Sequence, residues 1–294
     1  MHIWFLDMKK LELILALGII PYLSYTVILP ESPRWLISKG RIPEAKKILA
    51  KALKMNKLPL SRLDKLDNIK AFEKETSEKV FFTDIFKYPG VRRNMICLAF
   101  CWFTFTMGYY GLIFNTPSFG WNLYITFCMP AFFTFPILAV QPFLENKLGR
   151  KPTMTSLMLF SGVLLLCTVA IPDGKFAHNW PIMVFAWIGT VSCSTAFGVG
   201  SVFTKDLFPT THRTMALSMA SASARIGSIS SPFVAMLSVY NPIFGLTVYG
   251  CFLLVGGIIS IWIWPDTKST KVPDTLEESE KLASSKNTWL FCFK

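Results

Sequence analysis

Acid groups are scarce in this chain of 294 residues: 18 Asp and Glu stand against 30 Lys and Arg, and charged residues make up only 16% of the total. Histidine is scarcer still, and His2, His178 and His212 lie so far apart in sequence that no His-carboxylate constellation can be drawn. The sequence also lacks a nucleophile elbow and a phosphate-cradling glycine loop, so an enzyme is not expected. Of the seven cysteines, Cys97, Cys101, Cys128, Cys167, Cys193 and Cys251 fall in apolar segments and Cys292 lies near the C-terminal end. They are expected to serve as small packing residues rather than as a disulfide framework. Cys97 and Cys101 are one helical turn apart with no histidine nearby, so neither a metal nor another cofactor is expected. Strand-like alternation is missing as well. The net charge of +12 is not laid out as a basic stripe on a soluble fold, which excludes nucleic acid as a partner.

What remains is apolar. Hydrophobic residues supply 52% of the chain, with 26 Phe and 9 Trp, too much for an ordinary soluble domain of this length. Crossing a hydrocarbon core takes roughly 20 apolar residues per helix. Seven segments meet that standard, at about 11–29, 95–114, 121–144, 153–171, 181–203, 214–240 and 242–264. An all-α membrane protein embedded in a lipid bilayer is expected, with its two ends on opposite sides. Lys and Arg crowd the stretch 31–93 and recur around Lys147, Arg150 and Lys151, at Lys205 and Arg213, and after Trp264. The alternate loops 115–120 and 239–245 carry no charge. The bias places the first group in the cytosol. Lys9 and Lys10 break the alternation, and with no signal peptide before them the chain is expected to begin inside a longer protein. Within 31–93, Ile48, Leu49, Ala52 and Leu53 share one face of an amphipathic helix, and 64–79 reads as a second, solvated helix.

Several short motifs recur in a fixed order along this plan. They are Pro30-Glu31-Ser32-Pro33-Arg34 through Arg41, Trp102-Phe103 followed by Tyr109-Tyr110-Gly111-Leu112, and Gly120 to Tyr124. Then come Asn146-Lys147-Leu148-Gly149-Arg150-Lys151-Pro152, Asp206-Leu207-Phe208-Pro209-Thr210 with Arg213, Ala224 to Pro232, and Pro265-Asp266-Thr267-Lys268 with Pro273-Asp274-Thr275. Together they resemble the C-terminal half of the organic cation, anion and carnitine transporters, a solute-carrier family of the major facilitator superfamily, from Asp7 to Lys281. Sugar carriers share the Pro-Glu-Ser-Pro-Arg loop, but they would show a Gln-Gln pair in the seventh helix, where Phe105 to Tyr110 holds no Gln.

The resemblance implies the C-terminal six-helix bundle of a major facilitator fold plus one preceding transmembrane helix. Residues 1–30 would be the family's sixth helix, 31–93 a cytosolic helical loop, 94–264 the six-helix bundle and 265–294 a cytosolic tail. It further implies transport of small organic ions by alternating access in the complete carrier, in the plasma membrane, with the missing N-terminal half or another carrier chain as partner. The other reading is a truncated, transport-incompetent membrane protein that binds or regulates full-length carriers.

Two sets of residues follow. Glu31, Arg34, Lys147, Gly149, Arg150, Asp206 and Arg213 fall at cytosolic helix ends, where opposite charges can pair between helices and hold one of two states closed. The plainer alternative is anchoring at the headgroups. Asn146 and Lys147 replace the family's usual Asp and Arg, and Glu145 is the candidate substitute carboxylate. The second set is Arg225, Trp102, Tyr109, Tyr110, Phe197 and Thr134, which match cavity positions. Arg225 stands in a run of small residues, where a cation requires water or a partner. In the resembled family an Arg at this position accompanies anion and carnitine carriers, which points to an anionic or zwitterionic substrate. The alternative is a structural Arg paired with a carboxylate from the missing half. Thr134, two residues before Pro136, stands where the family places an acidic residue, so no membrane-embedded carboxylate is expected between 95 and 264. The aromatic residues offer apolar walls with polar tips.

Overall fold

The computed structural model describes residues 8–25, 29–38, 41–60, 63, 83–115, 123–171, 180–209, 212–240, 242–265, 273 and 275–284. Among these, every regular element is helical. The chain divides into two units, 1–79 and 80–294.

The first unit holds α1 (Met8–Leu23), α2 (Pro33–Ser38) and α3 (Ile42–Met55). Helix α1 has 16 residues with Pro21 inside it. At 1.5 Å per residue that is about 24 Å, shorter than the ~30 Å hydrocarbon core and shorter than the expected span 11–29. In α3 the first-turn Glu44 and last-turn Lys54 suit the helix dipole. Arg41 pairs with Glu44 at 2.7 Å, and that hydrogen bond holds the Glu44 carboxyl below its ordinary pKa. Ala45 is buried, Ile48, Leu49 and Leu53 are half-buried, and Ala52 is exposed. The covered face therefore centres nearer the start of α3, which packs on α2, than the sequence pattern placed it. The second expected insert helix, 64–79, lies outside the described residues.

The second unit runs through α4 (Asp84–Lys87), α5 (Pro89–Asn115), α6 (Leu123–Leu148), α7 (Arg150–Cys167), α8 (Trp180–Leu207), α9 (Arg213–Ala235), α10 (Pro242–Ile263) and α11 (Leu276–Ser284). Among the described residues, five helices are long and apolar enough to cross a membrane: Pro89–Asn115, Tyr124–Leu148, Arg150–Ala170, Trp180–Leu207 and Ile243–Ile263. This is a multi-pass membrane protein. Helix α9 has the length, with 23 residues, but its serines, Thr214 and Arg225 keep it below that apolarity.

Helix α5 packs against α8, α9 and α10, and α7 packs against α8 and α10. Lipid is as apolar as leucine, so such helices associate through close contact and hydrogen bonds rather than hydrophobic burial. The contacts fit that rule. A Cβ on Gly227 of α9 would lie 2.3 Å from the Phe103 carbonyl oxygen of α5. Beside it the Thr106 hydroxyl donates to the Ala224 carbonyl at 2.7 Å. Ser161 donates to the Gly189 carbonyl at 3.0 Å, tying α7 to α8, and the Thr155 and Ser260 hydroxyls bond at 3.0 Å between α7 and α10. The Cys193 thiol donates to the Phe105 carbonyl at 3.2 Å. Cys97, Cys101 and Cys193 are buried, whereas Cys128, Cys167 and Cys251 face outward and pack less than expected.

Helix α11 lies within 265–294, the stretch expected as a tail. The Thr275 hydroxyl accepts the Glu278 N–H at 3.3 Å, starting the helix. Glu280 then reaches the beginning of α5, where its carboxylate accepts the Gly90 and Val91 N–H groups at 3.0 and 2.9 Å. Those are two of the orphan donors that every helix start presents.

Candidate functional site

The charged cluster forms where α6 ends, α7 begins and α8 ends. Gly149 joins α6 to α7 with φ 100°, a left-handed conformation that side chains rarely adopt. This sharp turn sets Arg150 at the start of α7, where its guanidinium bonds Asp206 near the end of α8 and lies 3.6 Å from Glu145 of α6. Glu145 in turn accepts the Gln141 amide at 2.7 Å. Three helix ends thus meet on one guanidinium, whose planar fork suits two carboxylates. Lys147 is exposed on the same turn. Arg213 begins α9; its Nε is buried without a hydrogen-bond partner among the described residues, so it is not brought into the pair. Next to it, burial pushes the His212 pKa down while Asp84 partly opposes the shift. Glu31, exposed, and Arg34, whose side chain lies outside the described residues, belong to the first unit.

One neighbour went unnoticed in the sequence. Lys151, 1% exposed, donates to the carbonyls of Ile261, at 3.2 Å, and Trp264 at the end of α10. A cation is stabilised there by the negative end of the helix dipole. The only available signal was a lysine directly after Arg150, which reads equally well as a headgroup anchor.

The aromatic set splits into two groups. Trp102 of α5 meets Phe197 of α8 edge-on at 4.9 Å, and Phe105 meets Phe197 at 6.2 Å. The Trp102 indole N–H is buried without a hydrogen-bond partner among the described residues. Leaving such a donor unmatched costs about 1–3 kcal/mol, so it is primed for an acceptor. Two turns along α5, Tyr109 and Tyr110 pack edge to face at 5.4 Å. Tyr109 and Thr134 both line a cavity of about 170 Å³ between α5, α6 and α8, with Trp187 on its far side. Pockets for drug-sized ligands run to roughly 300–1,000 Å³, so this is an indentation in one wall. The Thr134 hydroxyl donates to the Pro130 carbonyl at 2.8 Å.

Arg225 is not among the residues lining that cavity. It is exposed on α9, adjacent to Ala224, whose carbonyl takes the Thr106 hydroxyl, and so it stands level with the Trp102 to Tyr109 stretch of α5. It makes no ion pair among the described residues. Thr214 and Ser218 are exposed on the same side of α9 and Ser221 is half-buried there, so that a polar stripe at helical spacing ends at Arg225. Beyond it Ile226, Ile229 and Phe233 are exposed.

A bundle of apolar helices joined by polar breaks, with a charged three-helix junction at one end, defines the class as a helical membrane protein. The family model for the sugar (and other) transporters matches residues 7–280, so the chain belongs to that family, within the major facilitator superfamily. Similar curated proteins include an organic cation transporter protein of Drosophila melanogaster, 32% identical over 285 residues, which covers 93% of this chain and 51% of that protein. Organic cation transporter 1 of Caenorhabditis elegans is 31% identical over 266 residues, covering 88% and 45% respectively. The human solute carrier family 22 member 13 is 29% identical over 258 residues, covering 87% and 45%. The chain spans about half the length of the curated relatives it matches.

Proposed function

We propose that this chain supplies one half of a plasma-membrane carrier for small organic ions, working by alternating access against a second half provided by an N-terminal bundle or another carrier chain. The observation that carries the reading is the polar stripe of α9 ending at the exposed Arg225. A stripe of Thr, Ser and Arg facing lipid would be costly, whereas facing a water-filled cleft between two halves it is favourable. The substrate is anionic or zwitterionic. A free guanidinium at the level of the aromatic side chains attracts a carboxylate, and the buried N–H of Trp102 adds a donor. Two of the relatives are named for organic cations, and cations are therefore the competing cargo. In this scheme Arg150, Asp206 and Glu145 form a cytosolic latch that closes in one state and opens in the other, with Gly149 as its turn and Lys147, Arg213, Glu31 and Arg34 as further charges at that side.

The test is uptake into proteoliposomes holding the assembled two-half carrier, measured with a small carboxylate, a zwitterion and a quaternary ammonium ion. Arg225→Glu is expected to lower carboxylate and zwitterion uptake by about tenfold or more, a change of about 1.4 kcal/mol, and to spare or raise uptake of the cation. Unchanged carboxylate uptake would sink the assignment of Arg225.

A further inference from the structure

We propose that the groove bounded by α5, α10 and α11 binds an anionic phospholipid. The groove is a cavity of about 790 Å³ lined by Arg92, Arg93, Ile96 and Phe100 of α5 and by Ile259 and Ile263 of α10, with Glu280 of α11 at its rim. Its polarity changes in one direction. Arg92, Ile96 and Phe100 are four residues apart and form one stripe down α5, while Ile259 and Ile263 form a matching stripe on α10. Because α5 begins where α10 ends, the arginines sit at the mouth and about 12 Å of apolar wall runs inward from them.

Helix length and the two arginines at its start together place that mouth. The 27 residues of α5 span about 40 Å, some 10 Å more than the ~30 Å hydrocarbon core. Its first turn therefore stands in the headgroup layer, with the apolar stripe below it among the acyl chains.

Charge selects the lipid. The Arg92 guanidinium makes no hydrogen bond or ion pair among the described residues, and Arg93 spends one nitrogen on the Ala283 carbonyl at 2.8 Å. The remaining N–H donors suit a phosphate, which a guanidinium grips with two parallel bonds. The one carboxylate at the rim among the described residues, Glu280, has both oxygens occupied by the Gly90 and Val91 amides and answers the positive end of the α5 dipole. Two cations at the mouth thus face one carboxylate already engaged, which favours a headgroup of net negative charge over a zwitterionic one.

The experiment is native mass spectrometry of the 294-residue chain, released from detergent after titration with phosphatidylglycerol or with phosphatidylcholine of the same acyl chains. Phosphatidylglycerol is expected to be retained several-fold more. Arg92→Gln should cut its retention about fivefold, the effect of one basic residue at a lipid surface, without changing that of phosphatidylcholine. Arg92 and Ile96 are both exposed, so their replacement leaves the bundle interior untouched. Ile96→Trp, which fills the groove, should lower retention of both lipids, and it tests the groove as the binding place if Arg92→Gln fails to fold. Equal retention of the two lipids, wild-type retention in the folded variants, or equally good competition by glycerol phosphate without acyl chains would each overturn the proposal. The readout is binding alone, so failure of the transport reading would leave it standing.

Discussion

Gly227 shows how much a single position decides in this bundle. A methyl group there would meet the Phe103 carbonyl oxygen at 2.3 Å, and backbone cannot yield as a flexible side chain can. Gly227→Ala should push α9 away from α5, stretch the bond from Thr106 to Ala224, and cost about 1–3 kcal/mol. Thermal unfolding in detergent checks this, and an unchanged transition would mean that the two helices do not touch as described. The small-residue run from 218 to 231 made the tight packing legible in sequence, because small residues are what close helix contact requires. Arg225 was legible as a cation out of place for the same reason. The pairing of Arg150 with Asp206 could be anticipated from opposite charges flanking apolar runs on one side. The docking of Lys151 on the carbonyls closing α10 could not, since a helix end more than a hundred residues away carries no pattern that names its cation. Thr134 and Tyr109 meet at one indentation while Arg225 stands apart from it, a separation that spacing along the chain does not encode.

At the scale of elements, the least expected feature is α11. The sequence Thr275-Leu276-Glu277-Glu278 carries the spacing of a capping box, and the helix it opens was readable from that signal. Its destination was not, because Glu280 is bound by backbone amides, which have no residue type. Helix α11 fastens the start of α5, the helix at the centre of the bundle. Glu280→Gln removes the charge opposite the helix dipole and one of the two acceptors, a loss of about 1–2 kcal/mol. Hydrogen exchange of the α11 amides should then quicken, while exchange in the middle of α5 stays slow. Unaltered exchange in α11 would show that its apolar contacts alone hold it. The same scale bears on α1: the described helix runs to Leu23, two residues past Pro21, and residues 26–28 of the expected span 11–29 lie outside the described residues. For α9 the length suits a crossing, but its polar stripe makes one face unfit for lipid.

For the whole molecule, the packing of the second unit leaves a wall rather than an enclosed site. The indentation beside Tyr109 and Thr134 is smaller than the pockets that hold drug-sized ligands, and the polar side of α9 is uncovered at Thr214, Ser218 and Arg225. Both observations support the proposed second half, and the matched relatives are about twice as long as this chain. In the proposed function, transport belongs to the assembly of two halves. The measurement that tests it is uptake of a small zwitterion into proteoliposomes containing this chain alone, the N-terminal half of a full-length relative alone, or both. Saturable uptake is expected only when both are present. Saturable uptake by this chain alone would contradict it and point to a half-carrier that pairs with itself, and a stable complex of both halves that moves no substrate would contradict it in favour of a regulatory partner.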